Sequence, residues 1–184
     1  EDEEEMNNEE LPNNLAILPL RNMVLFPGVV IPITAGRDKS IRLINEANAE
    51  GKIIGVVAQK NEEDEDPTKN DIHKIGTVAK ILRVLKMPDG NVTVILQGKK
   101  RFEIDTVITE NPYIRAEVKE VSEKRPGKHD TEFVAIVDSI KELAIQIIKE
   151  SPNIPSEATF AIKNIESQSF LINFVTSNMN LTVK

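Results

Sequence analysis

The chain has no cysteine, no tryptophan and a single tyrosine among its 184 residues. Without cysteine there is no disulfide, no thiol nucleophile and no thiolate metal site, a composition that suits a reducing compartment. Aromatic residues make up only 4% of the chain, so its core must rest on Ile, Val and Leu. No apolar run reaches the roughly 18 to 20 residues of a membrane span, and no basic-then-apolar leader is visible, so no membrane partner is expected.

Catalytic signatures are missing as well. A phosphate-binding loop needs Gly-x-x-x-x-Gly-Lys followed by Ser or Thr, because backbone N–H groups cradle the phosphates and the hydroxyl holds magnesium. The three Gly-Lys pairs, beginning at Gly51, Gly98 and Gly127, are followed by Ile53, Lys100 and His129. His73 and His129 fall in or beside predicted loops, are not spaced as a zinc-binding helix pair, and read as surface residues. No Gly-x-Ser-x-Gly turn is present. The expectation is a non-catalytic chain with no catalytic, cofactor-binding or metal-binding residue of its own.

Charge is concentrated at the start. Residues 1–10 hold seven carboxylates and no base, which equals the net charge of −7; the remaining 23 acids balance 23 bases. Such a run repels itself and has nothing to bury, so residues 1–14 read as a disordered tail. A second acidic run, Glu62 to Asp66, lacks the alternating ligands and central glycine of a calcium loop and reads as a solvated connection.

What the chain does have is organised around Leu18–Arg37, its most apolar long stretch, broken by three prolines and two glycines. Proline is excluded from helix interiors and confined to edges, first positions or bulges in strands. The stretch is therefore predicted as two strands, Ala16–Leu20 and Val29–Thr34, joined by an apolar turn at Phe26-Pro27-Gly28. That turn carries Met23, Leu25 and Phe26. Either Leu25 and Phe26 plug the core, or Met23 and part of Phe26 stay accessible and touch unfolded chains; these three are the candidate substrate-binding residues.

Downstream, Asp38 is the expected cap of a helix over Lys39–Glu50 ended by Gly51. Strands are predicted at Lys52–Ala58, Gly76–Lys86, Asn91–Gln97, Arg101–Thr109 and Tyr113–Val121. Met87-Pro88-Asp89-Gly90 makes a hairpin turn, and a bulge is expected near Leu82-Arg83. Many short strands around one early helix argue for a curled sheet or partly open barrel. After a linker at residues 123–129, apolar residues at three- and four-residue steps from Phe133 to Ile148 specify a helix over Thr131–Glu150 with Asp130 as cap. Ile136, Val137, Ile140, Leu143 and Ile147 share its expected packing face. Two shorter helices are predicted at Ser156–Ile165 and Gln168–Met179, with Phe160 among their apolar anchors. The fold class is thus α+β, with a tail at 1–14, a β-rich domain at 15–122, a linker at 123–129 and a helical subdomain at 130–184.

The ordered motifs resemble the amino-terminal domain of Lon, the ATP-dependent protease. They are Leu18-Pro19-Leu20-Arg21, Leu25-Phe26-Pro27-Gly28, Ile31-Pro32-Ile33, Gly36-Arg37-Asp38-Lys39-Ser40, Val57-Ala58-Gln59-Lys60, Ile75-Gly76-Thr77-Val78-Ala79, Leu96-Gln97-Gly98 with Arg101-Phe102, and Pro112-Tyr113. The resemblance implies a β-rich fold of the pseudouridine-synthase-and-archaeosine-transglycosylase-like (PUA-like) kind that selects unfolded or damaged protein substrates. It implies a longer parent, a homo-oligomeric (hexameric) Ser-Lys endopeptidase of the bacterial cytoplasm whose ATP and Mg belong to an ATPase domain absent here. The alternatives are a free-standing partner-recruiting module of this fold and an RNA-binding module. For RNA, the basic residues Lys99, Lys100, Arg101, Lys119, Lys124, Arg125 and Lys128 lack both an excess of positive charge and interleaved stacking aromatics, so no nucleic-acid partner is expected.

Overall fold

The computed structural model describes residues 10–127, 130–155, 157–179 and 181–183. Most of the tail expected at 1–14, together with Lys128, His129 and Ser156, lies outside the described residues. The described chain divides into two compact units, the first comprising 10–122 with 181–183 and the second lying within Glu123–Met179. Residues 181–183 group with the β-rich unit, where the Val183 N–H donates to Asn22 Oδ1 at 3.3 Å.

The first unit is a mixed six-stranded sheet with one helix. Its elements are β1 (Asn14–Leu20), β2 (Val30–Ala35), α1 (Asp38–Glu50), β3 (Ile53–Gln59), β4 (Ile72–Lys86), β5 (Val92–Thr109) and β6 (Arg115–Glu120). The strand order is β2-β5-β4-β3-β1-β6, and β5 also pairs with β6, so five strands close into a ring and β2 is left outside it. Among the described strand pairs only β1 and β3 run parallel. One edge of β5 serves two partners in turn: residues 92–97 pair with β2 and residues 102–109 with β6.

Strand β5 departs from the sequence reading. It runs unbroken through Lys99-Lys100-Arg101, where a gap between two strands was expected. Periodicity could not show this, because three cations look like a turn when their strand partners are unknown. The bulge expected near Leu82-Arg83 is present, as a register shift between Ile81 and Arg83, and a second shift falls between Thr77 and Ala79.

Period-2 geometry sends alternate side chains of one strand to opposite faces, and β1 is buried on both. Ala16, Leu18 and Leu20 join a cluster with Leu43 and Ile44 of α1, Ala35 of β2 and Val92, Val94 and Leu96 of β5. Leu15 and Ile17 join the other, with Val57, Val78, Phe102 and Val118. Helix α1 starts differently from expectation: Asp38 is its first residue, Arg37 occupies the cap position, and no side chain caps it. Gly51 ends it at a φ of +132°, a conformation that suits glycine, and its N–H returns to the Ala47 carbonyl.

The second unit is three helices, α2 (Thr131–Glu150), α3 (Glu157–Lys163) and α4 (Gln168–Ser177). Asp130 caps α2 as expected, its carboxylate accepting from the Phe133 N–H. Replacing Asp130 with Ala is expected to cost about 1 kcal/mol of the unit's stability, the usual value of an N-cap, and a chemical-denaturation curve followed by helix signal would show it. The packing face of α2 is narrower than the sequence pattern suggested. Val137 is buried with Ile162 and Leu171, and Phe133, Ala144, Ile145 and Ile148 pack around them. Ile136, Leu143 and Ile147 point outward, Ile140 is half-buried, and Phe160 of α3 is exposed rather than an anchor.

Candidate functional site

The loop between β1 and β2 is fixed by hydrogen bonds to the strands beneath it. The Thr77 hydroxyl donates to the Leu25 carbonyl at 2.6 Å from a buried position. The Gly28 N–H donates to the Gly98 carbonyl, and the Gly98 N–H to the Val29 carbonyl, each at 2.9 Å. Position 98 must be glycine for this crossing: a Cβ there would sit 2.2 Å from the Phe26 carbonyl oxygen, well inside contact distance. The Arg101 guanidinium lies 6.0 Å from the centroid of the Phe26 ring, at the outer limit of a cation–π contact.

This crossing separates the three candidate residues. Leu25 is 2% exposed and belongs to the first core cluster, so its side chain faces inward and serves packing. Phe26 is half-buried. Met23 is 41% exposed and borders a cleft with Pro32 and Ile33, whereas the equally exposed Val24 borders a different hollow beside Ile75. Sequence reasoning weighed the loop as one apolar unit. The alternation of inward and outward side chains within it depends on Gly98, 70 positions downstream, which no local pattern reports.

A second surface with exposed apolar residues lies on the arm formed by β2, β5 and β4. Register places Pro32 beside Ile95 and Thr34 beside Thr93, and continues to Arg83 and Leu85 on β4. Ile31, Ile33 and Ala35 face the core side, so Val30, Pro32 and Thr34 face out. Val30, Leu82, Leu85 and Met87 are exposed. This face was not singled out from the sequence, because its strands read as ordinary half-buried ones. Its signal is a set of exposed apolar residues, Val30, Pro32 and Leu85, interspersed with Thr34, Thr93 and Arg83, and seeing it requires the register to be known.

Three of the basic residues in the β-rich unit are buried or paired. Lys99 is buried, Lys100 pairs with Glu120 at 3.2 Å, and Lys119 pairs with Asp105 at 2.6 Å. The Asp105 carboxylate is what raises the Lys119 pKa. The acidic loop at 60–71 is tied down by bases from the opening stretch. Arg21 meets Glu65 at 3.0 Å, Lys39 meets Asp66 at 2.7 Å, and Arg37 donates to the Gln59 side chain and the Asp64 carbonyl. Burial, with Arg21 nearby, lowers the Arg37 pKa from its ordinary value. His73 is half-buried in β4, not a surface loop residue, and its Nε2 is buried without a hydrogen-bond partner. Among the described residues no three His, Asp or Glu side chains are grouped to hold a metal ion, and no helix is long and apolar enough to cross a membrane.

A cysteine-free, β-rich module with a pinned apolar loop and an exposed apolar sheet face has the attributes of a polypeptide-binding domain. Comparison with known proteins gives it a family. Residues 14–184 match the family model of the ATP-dependent protease La (LON) substrate-binding domain, and the chain belongs to that family. It is 83% identical over 184 residues to a Lon protease of Flavobacterium johnsoniae and 50% identical over 184 residues to one of Cytophaga hutchinsonii. In both cases the whole chain aligns, to 22% and 23% of the relative, so it spans about a fifth of the proteins it matches. The fold is shared with the N-terminal domain of the Mycobacterium avium complex Lon protease, at a TM-score of 0.73 and 20% identity, over 92% of this chain and 84% of that one.

Proposed function

We propose that this domain captures unfolded or damaged polypeptides through the outward face of the β2–β5–β4 arm and the adjoining Met23, and presents them to a protease of which it is the amino-terminal part. The observation that carries the reading is the exposure of Val30, Leu85 and Met87, with Pro32, on or beside the outward side of three paired strands, among Thr34, Thr93 and Arg83, in a chain of a substrate-binding family. Native proteins bury such residues and unfolded ones display them, so an apolar acceptor discriminates between the two. Met23 and Met87 suit varied clients because the thioether chain is flexible and polarizable.

The rest of the reading concerns the parent. It is an ATP- and Mg-dependent Ser-Lys endopeptidase, homohexameric and cytoplasmic, to which this domain contributes binding and no catalysis. Residues 15–122 act as the recognition domain, 123–129 as a linker and 130–184 as a helical subdomain leading toward the ATPase domain. Several copies in a ring raise the effective concentration of a bound polymer, so each contact can be weak.

The test is binding of reduced, carboxymethylated α-lactalbumin to the 184-residue chain. The double replacement Met23→Ser and Leu85→Ser is expected to weaken binding about tenfold, or about 1.4 kcal/mol, and to leave the melting temperature nearly unchanged. Affinity should change little with salt, because apolar contacts are not screened. Steep salt dependence, with loss of binding on replacing Lys100 and Arg101 by Gln, would overturn this reading.

A further inference from the structure

We infer that the open edge of β2 binds client polypeptide by strand addition, taking a short extended segment into the cleft between β2 and β1. This inference rests on the proposed capture of unfolded chains and names the form in which they are held.

The cleft has a volume of about 530 Å³ and is lined on one side by Leu18, Pro19, Leu20 and Arg21, and on the other by the run from Pro32 to Arg37. Consecutive residues on both sides mean that it runs along two strand edges, since a sheet face would contribute only alternate residues. Among the described residues both edges are open: β2 pairs only with β5, and β6 covers β1 only over Asn14–Ala16.

Three observations agree on which backbone groups of β2 point away from β5, at the open edge that the cleft borders from Pro32 onward. The Gly98 N–H donates to the Val29 carbonyl, so in an antiparallel ladder residues 29, 31, 33 and 35 are turned toward β5 and residues 30, 32 and 34 away from it. The Thr34 and Thr93 hydroxyls meet at 3.0 Å, as side chains do at a pair whose backbone groups face outward. Pro32, which has no N–H, takes an outward position, where a proline costs the ladder nothing. The edge thus offers the N–H and C=O of Val30 and Thr34 and the C=O of Pro32. On β1, the Ile17 N–H donates to the Ile114 carbonyl on the β6 side, so by the same alternation Pro19 is turned toward the cleft.

This chemistry fits an extended backbone of any sequence and nothing folded, because a folded client has already paired its own backbone. Strand addition supplies affinity through main-chain bonds that do not read side chains, while the apolar face beside it favours clients with exposed apolar residues. Pro19 and Pro32 remove one donor from each edge and keep the added ladder short, roughly five residues at ~3.3 Å each. A short ladder holds a client without trapping it, and proline on an exposed edge also discourages edge-to-edge association.

The experiment is amide hydrogen exchange resolved by residue on the 184-residue chain, with and without saturating carboxymethylated α-lactalbumin, alongside the binding of a Thr34→Pro variant. The expected result is at least tenfold slower exchange at the Val30 and Thr34 amides with the probe bound, no change at Ile31 and Ile33, and roughly tenfold weaker binding by Thr34→Pro. Binding without slowed exchange at Val30 and Thr34 overturns strand addition and leaves capture by the apolar face standing. Absence of binding by the unaltered chain overturns both. Slowed exchange at these amides that follows protein concentration in the absence of probe gives the edge to a second copy of the chain and overturns the inference. Should Thr34→Pro fail to fold, the exchange data on the unaltered chain decide alone.

Discussion

Replacing Phe102 with alanine is expected to remove about 3 to 5 kcal/mol of stability from the β-rich unit, the range for truncating a large buried aromatic. Phe102 is fully buried and lies in the cluster to which all five ring strands or their flanks contribute, with Ile17, Val57, Val78, Ala116 and Val118. Two glycines face its ring. A Cβ at Gly55 or at Gly76 would come within 2.8 Å of the ring, and at Gly76 it would also meet the Val56 carbonyl oxygen at 2.3 Å. The phenyl ring therefore fills space left by two missing side chains on β3 and β4, with Ile17 and Val57 beside it. Smaller aliphatic replacements should also be costly, because the cavity lies against backbone that cannot collapse. Urea denaturation followed by strand-region circular dichroism would measure the loss; a change below about 1 kcal/mol would show that the site repacks.

The same residue illustrates what the sequence made legible. Phe102 was placed on a strand by the alternation from Arg101 to Thr109, and the element order, the early helix and the switch to helices near residue 130 follow from periodicity and Pro/Gly punctuation. Closure of the ring does not. It depends on β5 giving one edge to β2 and then to β6, a pairing decided by twist and by contacts between residues far apart. The opening loop was legible only as an alternative. Its apolar residues could plug the core or leave Met23 and part of Phe26 accessible, and that Leu25 faces inward depended on Gly98 and Thr77 across the sheet. The outward face of β2, β5 and β4 and the cleft beside it are properties of register alone, and a one-residue slip would have exposed Ile31, Ile33 and Val94 instead.

Helix α2 carries an apolar stripe of which only one side is buried within the helical unit, and the two sides should differ sharply in their tolerance of charge. Val137→Asp is expected to cost more than about 3 kcal/mol and to unfold the helical unit, because it places a carboxylate among the apolar side chains of Ile162, Leu171 and the half-buried residues around them. Lys141, one turn on, donates to the Ile165 carbonyl at 3.0 Å and helps hold the segment between α3 and α4 against α2. Leu143→Asp is the matched control. Leu143 is 58% exposed, so its replacement gives up little burial and a few tenths of a kcal/mol of helix propensity, within about 1 kcal/mol in total. Helical circular dichroism during thermal melting separates the two: the first variant should lose much of the signal at room temperature, and the second should melt close to the unaltered chain. Equal destabilisation by both would mean that Leu143 is covered in solution. Wild-type melting of Val137→Asp would mean that the three helices are not held together by the cluster around Val137.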